Sequence, residues 1–390
     1  MNYYTLAVTT SGHDASVCLM RDDKVILLFA SERVQRKKHI GEVSVRDFKV
    51  VKGYTSTIHK LVLANTNSGR THLKNKELIS NICKMLTTVG INYPQPIIDN
   101  DNHHLFHAVG SFYPLGLNEA VCVVVDGVGS SFTIEDKAMF SEVTSFFYAN
   151  DSVETIYKLF FYRHKIAEVV PGFSHRKIQE LANNYPFKVD ISPHIDAGKM
   201  YGTITRTVGF HSVEAGKTMG LSAYGKPNNL PPILIEGKAL TNSNLFRSDS
   251  HINTFCYPEM VSLSEKDKAN LAYNAQKAFE ILYLDKVSKA LAMKPECKNL
   301  VLSGGCALNI LGNSLVKKTF PHINVYAEPI GTDVVQSLGA ALYYYKKEFP
   351  QTKYSKFDVL YLGPEYSIVD TKDKLLKLVE QHNNEFNLPV

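Results

Sequence analysis

The chain has no long apolar run, no CxxC pair and no large excess of charge of either sign, and each absence removes a class of protein. No stretch reaches the about 20 consecutive apolar residues that a membrane span needs. The opening Met1-Asn2-Tyr3-Tyr4-Thr5-Leu6 has no basic region followed by an apolar core, so the expectation is a cytoplasmic chain with no membrane partner. The six cysteines (Cys18, Cys83, Cys122, Cys256, Cys297, Cys306) are scattered, several of them in apolar strand-like runs where a thiol behaves as a small hydrophobe. They read as reduced. A net charge of +5 over 390 residues permits a nucleic-acid partner without demanding one. With 44% hydrophobic and 21% charged residues, the chain can bury the cores of two subdomains.

What is present is a histidine cluster, His103-His104-Leu105-Phe106-His107, just before a strand that runs into Asp126-Gly127-Val128-Gly129-Ser130. On a helix, His103 and His107 lie one turn apart on one face and can share a metal ion, while His104 points elsewhere as a supporting or capping residue. Fourteen histidines give about half an HxxxH pair by chance, so the pair needs support from its neighbours. Asp333 in Ile330-Gly331-Thr332-Asp333 could complete a set of two imidazoles and two carboxylates.

Along the chain, strands are expected at Thr5–Thr9, Ala15–Met20 and Lys24–Ala30, as a meander with a corner at Gly12. A helix is expected from Lys74 to about Val89, and the histidine cluster opens another that ends near Pro114. Strands follow at Ala120–Val125, Ser131–Ile134 and Val143–Tyr148, repeating the opening layout. Ser11-Gly12-His13-Asp14-Ala15-Ser16 faces Asp126-Gly127-Val128-Gly129-Ser130-Ser131 in this duplication, which suggests a cleft between two lobes. Residues 150–265 read as loops and short helices that shape an acceptor pocket. A helix from about Lys266 to Met293, strand Asn299–Leu302, helix Ala307–Lys318, strand Asn324–Ala327, helix Val334–Lys347 and a last helix at about Ile368–Gln381 complete the chain.

Three glycine turns could receive phosphate, since backbone N–H groups exposed there complement negative charge. They are Gly127-Val128-Gly129-Ser130, Ala215-Gly216-Lys217-Thr218-Met219-Gly220 and Ser303-Gly304-Gly305-Cys306, the last followed by Asn309. None is a full Walker A loop. Their order, two strand-turn-strand units with Asp followed by strand-Gly-Gly-helix, is the layout with which actin-like ATPase folds build a nucleotide cleft. The basic run Arg33, Arg36, Lys37, Lys38 and His39 is a solvated face by default, or an anion site if it lies near that cleft.

The collinear set Gly12-His13-Asp14-Ala15-Ser16, Glu32-Arg33 with Arg36, Lys38 and His39, His103-His104-Leu105-Phe106-His107-Ala108, Asp126-Gly127, Gly216 to Gly225, Gly304 to Asn309 and Gly339-Ala340-Ala341 resembles the O-carbamoyltransferases of nodulation-factor and antibiotic biosynthesis. The resemblance covers residues 5 to about 365. It implies an α/β, actin-like ATPase (ASKHA) fold with two duplicated lobes, 1–118 and 119–350, the second holding the acceptor-site insertion at about 150–265, and a tail at 351–390. It further implies that carbamoyl adenylate, made from carbamoyl phosphate and ATP on a YrdC-like domain, donates its carbamoyl group to a hydroxyl acceptor. The implied metal ligands are His103, His107, Asp126 and Asp333, holding Fe2+ or, failing that, Zn2+ or Mn2+. The implied catalytic residues are His13, Asp14 and Lys38. Gly127, Gly129, Ser130, Lys217, Gly304, Gly305 and Asn309 are the candidate nucleotide-binding residues.

The family's Glu-Phe-Gly-Pro-Arg-Ala-Leu-Gly-like C-terminal signature does not occur before Val390, so the chain is either a truncated piece or, the favoured expectation, one half of a split enzyme whose adenylate-forming subunit is a separate YrdC-like chain. The acceptor is open among sugars, antibiotics and a hydroxymethylated pyrimidine, in a nucleotide or in DNA. Homo-oligomerisation is open as well. The competing readings are a synthase of the threonylcarbamoyladenosine type and a non-catalytic nucleotide-binding regulatory subunit.

Overall fold

The computed structural model describes residues 2–10, 12–64, 72–134, 138–162, 185–192, 194–230 and 263–364, with short pieces at 180, 233–235, 238–239, 247–248, 255–256, 372–377 and 379–380. The first sheet contains β1 (Tyr4–Thr9), β2 (Ser16–Arg21), β3 (Lys24–Ala30), β4 (Lys60–Ala64) and β5 (Ile97–Asp99), in the order β3-β2-β1-β4-β5. Helices α1 (Ser31–Gln35), α2 (Val45–Lys52) and α3 (His72–Thr88) connect these strands, and α4 (His103–Phe112) follows them.

The second sheet repeats that plan. Its strands β6 (Ala120–Val125), β7 (Ser131–Ile134), β8 (Ala138–Ala149), β9 (Val153–Tyr162) and β10 (Lys188–Ser192) precede helices α5 (Ala197–Thr207), α6 (Ala215–Ser222) and α7 (Glu265–Met293). Strand β11 (Asn299–Ser303), helix α8 (Ile310–Thr319), strand β12 (Asn324–Ala327) and helix α9 (Val335–Glu348) complete it. β6 pairs antiparallel with β8, β8 antiparallel with β9, β6 parallel with β11, and β11 parallel with β12. The first sheet has the same pattern, with β1 antiparallel to β2, β2 antiparallel to β3, β1 parallel to β4, and β4 parallel to β5. Two sheets with one order and one set of strand directions are the duplicated lobes of the actin-like ATPase fold.

The central strands are apolar runs because both of their faces are covered. All six residues of β6, Ala-Val-Cys-Val-Val-Val, are buried. Helix α4, ahead of the boundary expected at 118, packs on β6, β8 and β11 of the second sheet, while α9 packs on β1, β2 and β4 of the first. The lobes therefore exchange helices, and one core joins Ala7, Cys18 and Val62 of the first sheet to Cys122, Val124 and Val301 of the second through Phe106, Val109, Leu338 and Ala341.

Three expectations need correction. Residues 150–265 are not only loops and short helices, since β9 pairs along β8 through a turn closed by Ser152 N donating to Asn150 Oδ1 at 3.0 Å. Aromatic and β-branched side chains with buried Tyr157, Phe160 and Phe161 make this segment a strand. The helix expected from Ala307 to Lys318 is a 3-10 turn, Gly305–Leu308, followed by α8, because Asn309 stands between them as an extended N-cap accepting from Gly312 N at 2.9 Å. The strand expected at Val143–Tyr148 begins five residues earlier, at Ala138. Of the expected terminal helix, 372–377 and 379–380 are helical and the remainder lies outside the described residues, as does Ser11. No helix among the described residues is long and apolar enough to cross a membrane.

Where α4 crosses α9, both contact positions are glycine. A Cβ at Gly110 would stand 2.7 Å from Val335 Cγ2 and 2.9 Å from Val335 O, and one at Gly339 would overlap the Phe106 carbonyl. Gly339→Ala is expected to lower the unfolding free energy by about 3 kcal/mol, since backbone rather than a flexible side chain must yield. Gly220→Ala, with open space around a Cβ in α6, is the control and should be neutral or stabilising. Denaturant titration distinguishes the two.

Candidate active site

The fold places the ends of three elements at one point. Ser130 Oγ accepts from His103 N at 3.1 Å, satisfying an otherwise open amide at the start of α4. Helical spacing then brings the His103 and His107 rings to 5.1 Å between centroids. Asp126 leaves the end of β6, and Asp333 stands just ahead of α9. His103 Nε2 is 3.2 Å from Asp126 Oδ2 and 3.4 Å from Asp333 Oδ1, and His107 Nε2 is 3.7 and 3.6 Å from the same atoms.

One ligand atom from each of these four residues falls within 4.8 Å of the others. Ser303 Oγ lies 3.4 Å from His107 Nδ1, while His107 Nε2 is buried without a hydrogen-bond partner and faces the carboxylates. Such an orphan atom, in a set of two nitrogens and two oxygens, fits a divalent ion of intermediate hardness. Burial lowers the His103 pKa, but Asp333 and Asp126 outweigh it and the net shift is upward. Burial raises both carboxyls, and the histidines outweigh it, so Asp126 and Asp333 lie below the usual carboxylate range.

A cleft of about 1000 Å³ opens over this cluster, walled by both lobes. His13 and Asp14 line it, with His13 Nδ1 2.9 Å from Asp14 Oδ2. Burial lowers the His13 pKa, but the Asp14 hydrogen bond and the Asp333 charge raise it to about 9. Asp14, Arg36 and His39 have φ of 60°, 58° and 54°, a left-handed conformation that costs an ordinary residue about 1–3 kcal/mol and gathers at functional sites. Of the basic run, Arg33 and His39 enter the wall, whereas Lys38 is exposed and lies outside it.

The glycine turns have distinct fates. Gly127 N donates to Asp126 Oδ1 at 2.6 Å and Gly129 N to Glu142 O at 2.7 Å, so both amides hold the turn after β6 rather than open toward the cleft. Gly127 is in the cleft wall; Gly129 and Ser130 are not. Ala215, Gly216 and Met219 line the wall, but Lys217 turns out to solvent and pairs with Glu214 at 2.5 Å. Gly304 has φ 83°, and a Cβ there would come within 2.5 Å of Val125 O. Gly305 and Asn309 line the cleft, the Asn309 amide paired with Gln276 at 2.9 and 3.1 Å.

Helix α5 was not foreseen. Its Gly198 lets the helix start approach the turn after β6, since a Cβ would stand 2.7 Å from Asp126 O and Gly127 N. Lys199, Tyr201 and Arg206 then join the wall, and the buried pair Lys286–Asp196, at 2.6 Å, anchors the helix start. The sequence signal was Gly198 and Gly202, four residues apart in an otherwise helical stretch.

His104 points away from the metal cluster, with Nδ1 2.9 Å from Ser145 Oγ. Beside it the fully buried Glu142 accepts from Ser145 Oγ at 2.7 Å and pairs with Lys158 Nζ at 2.8 Å. Burial raises the Glu142 carboxyl, but His104 and Lys158 prevail and hold it at about 2. Lys158→Met should cost about 3–5 kcal/mol, because it strands a buried carboxylate. A carboxyl depressed by folding contributes stability above its ordinary value of 4.5 that is lost as pH falls from there toward 2. Acid unfolding of Glu142→Gln should accordingly show a shallower slope in that window than the parent, and an unchanged slope would refute the pairing.

The model of the carbamoyltransferase N-terminus family matches residues 47–342. An uncharacterised protein of Synechocystis sp., sll1178, is 23% identical over 421 residues, covering 93% of this chain and 61% of its own length. One of Methanocaldococcus jannaschii, MJ1058, is 25% identical over 294 residues, covering 70% of this chain and 42% of its own. The chain thus spans less than two thirds of the length of these curated relatives. Among solved structures, HypF of T. kodakarensis superposes with a TM-score of 0.44 at 13% identity over 90% of this chain and 48% of that one. A ROK family protein from Streptococcus pneumoniae does so with a TM-score of 0.42 at 12% identity over 90% and 100%. With the family model matching well over half of its residues, this chain belongs to the carbamoyltransferase N-terminus family.

Proposed function

We propose that this chain transfers a carbamoyl group from carbamoyl adenylate to a hydroxyl acceptor in the cleft between its lobes. The observation that carries the reading is the convergence of His103, His107, Asp126 and Asp333 at the floor of a cleft whose wall also holds His13 and Asp14. Those four residues would hold the divalent ion, Fe2+ first among the candidates, and when bound it would supply Lewis-acid withdrawal of charge from the donor phosphate. Arg33, Lys199 and Arg206 add positive charge to the wall, which suits the phosphate and fixes its orientation. The acceptor oxygen attacks the carbamoyl carbon, the bond from that carbon to the phosphate oxygen breaks, and AMP departs. The hydroxyl proton goes to the Asp14 carboxylate, which the charged His13 ring holds facing the cleft through their 2.9 Å hydrogen bond. Lys38, outside the wall, has no place in this scheme.

The adenylate would come from carbamoyl phosphate and ATP on a YrdC-like unit, and the acceptor is a sugar, an antibiotic or a hydroxymethyl pyrimidine. Synthetic carbamoyl adenylate offered with a panel of such acceptors should give a product heavier by about 43 Da, the exchange of one hydrogen for CONH2. His13→Ala should slow the reaction by about 100-fold or more. Absence of product across the panel from metal-loaded protein would overturn the reading.

A further inference from the structure

Gln336 lies in the first turn of α9, three residues after Asp333, with no exposed surface. Its Nε2 is 2.7 Å from His103 Nε2, 2.8 Å from His103 Nδ1 and 3.3 Å from Asp333 Oδ1. Its Oε1 is buried and has no hydrogen-bond partner. This arrangement is poorly matched as hydrogen bonding. A neutral imidazole carries a proton on one nitrogen and a lone pair on the other, and an imidazolium carries protons on both. The bonding directions of the two ring nitrogens diverge, so an NH2 group nearly equidistant from both lies on the axis of neither and makes no well-directed hydrogen bond to the ring.

The two ends of a carboxamide have the same shape and are distinguished by their partners alone. With the oxygen inward, no poorly directed donor is left against the His103 ring, but that oxygen then faces the Asp333 carboxylate. A cation between them removes the repulsion. The inward amide atom also stands from His103 Nε2 and Asp333 Oδ1 at 2.7 and 3.3 Å, a spacing close to the 3.2–3.7 Å separations among the four ligand atoms.

We propose that Gln336 is a fifth donor of the metal centre, binding the ion through its carboxamide oxygen; this rests on the metal reading above. A set of two imidazoles, two carboxylates and an amide oxygen exceeds the four ligands of a tetrahedral zinc site and favours ions that accept five or six. Gln336 is then a residue that sets metal preference.

Cobalt(II) tests this without catalysis, because its visible absorption strengthens as coordination falls from six or five toward four. The purified 390-residue chain and its variants would be titrated with Co2+, following absorbance and affinity. In Gln336→Met the absorption should intensify and affinity should fall about 10-fold or more. Gln336→Glu, which keeps an oxygen and adds a negative charge, should hold the weak absorption of the higher coordination number, with the band shifted from the parent's, and bind more tightly. If Asp333→Ala abolishes binding while Gln336→Met and Gln336→Glu both leave spectrum and affinity at the parent values, the fifth donor is refuted and the four-ligand site stands. If the parent binds no Co2+, both fall together. Should Gln336→Met fail to fold, an unaltered spectrum and affinity in Gln336→Glu would be enough to reject the proposal, since an added ligand charge must change them.

Discussion

The close crossing of α4 and α9 is the constraint on which the rest depends. These helices carry His103 and His107 on one side and Asp333 with Gln336 on the other, and each packs on the sheet of the opposite lobe. Gly110 and Gly339 set how near the axes come, because a Cβ at either would strike the partner's backbone. If the helices stood further apart, the imidazoles and the late carboxylate would no longer fall within 4.8 Å. The same contact seals the apolar layer between the sheets, so the residues that hold the lobes together also set the spacing of the site.

Much of this was legible in the sequence, for reasons that are local. The HxxxH pair needs only that its segment be helical, which residues 103–112 are, all ten of them buried. The strand-turn-strand units of residues 4–30 and 120–149 are visible because their strands are apolar runs bounded by turn residues. What stayed hidden depends on partners remote in sequence. Gln336 lies 233 residues from His103, and nothing near it marks its amide as packing against His103. Glu142 and Lys158 sit on neighbouring strands of a segment whose alternation was masked by aromatic residues. Gly129 reads as a phosphate turn, yet it is glycine because a Cβ would stand 2.7 Å from His104 Nε2 and 2.9 Å from Glu142 Oε2. The chemistry of a glycine turn is set by what packs against it, which sequence does not display.

Two charged layers lie beneath the cleft, and their separation explains why one histidine of the cluster differs from its neighbours. His103 is flanked by Asp126 and Asp333, which outweigh its burial, whereas burial prevails at His104 and lowers it to about 3 although Glu142 lies 3.5 Å away. The difference follows from what else each carboxylate serves. Glu142 is a single carboxylate that also serves Lys158 and Ser145, and its attraction does not offset the burial of His104, whereas two carboxylates flank His103. Among the described residues no lysine or arginine pairs with Asp126 or Asp333, and their charge is directed at the imidazoles of His103 and His107 and at the cleft. The lower layer is thus neutralised internally and can serve as a rigid support. The upper one keeps its negative charge at the cleft, where the metal site proposed above would use it, and that contrast separates a support from a site on this reading.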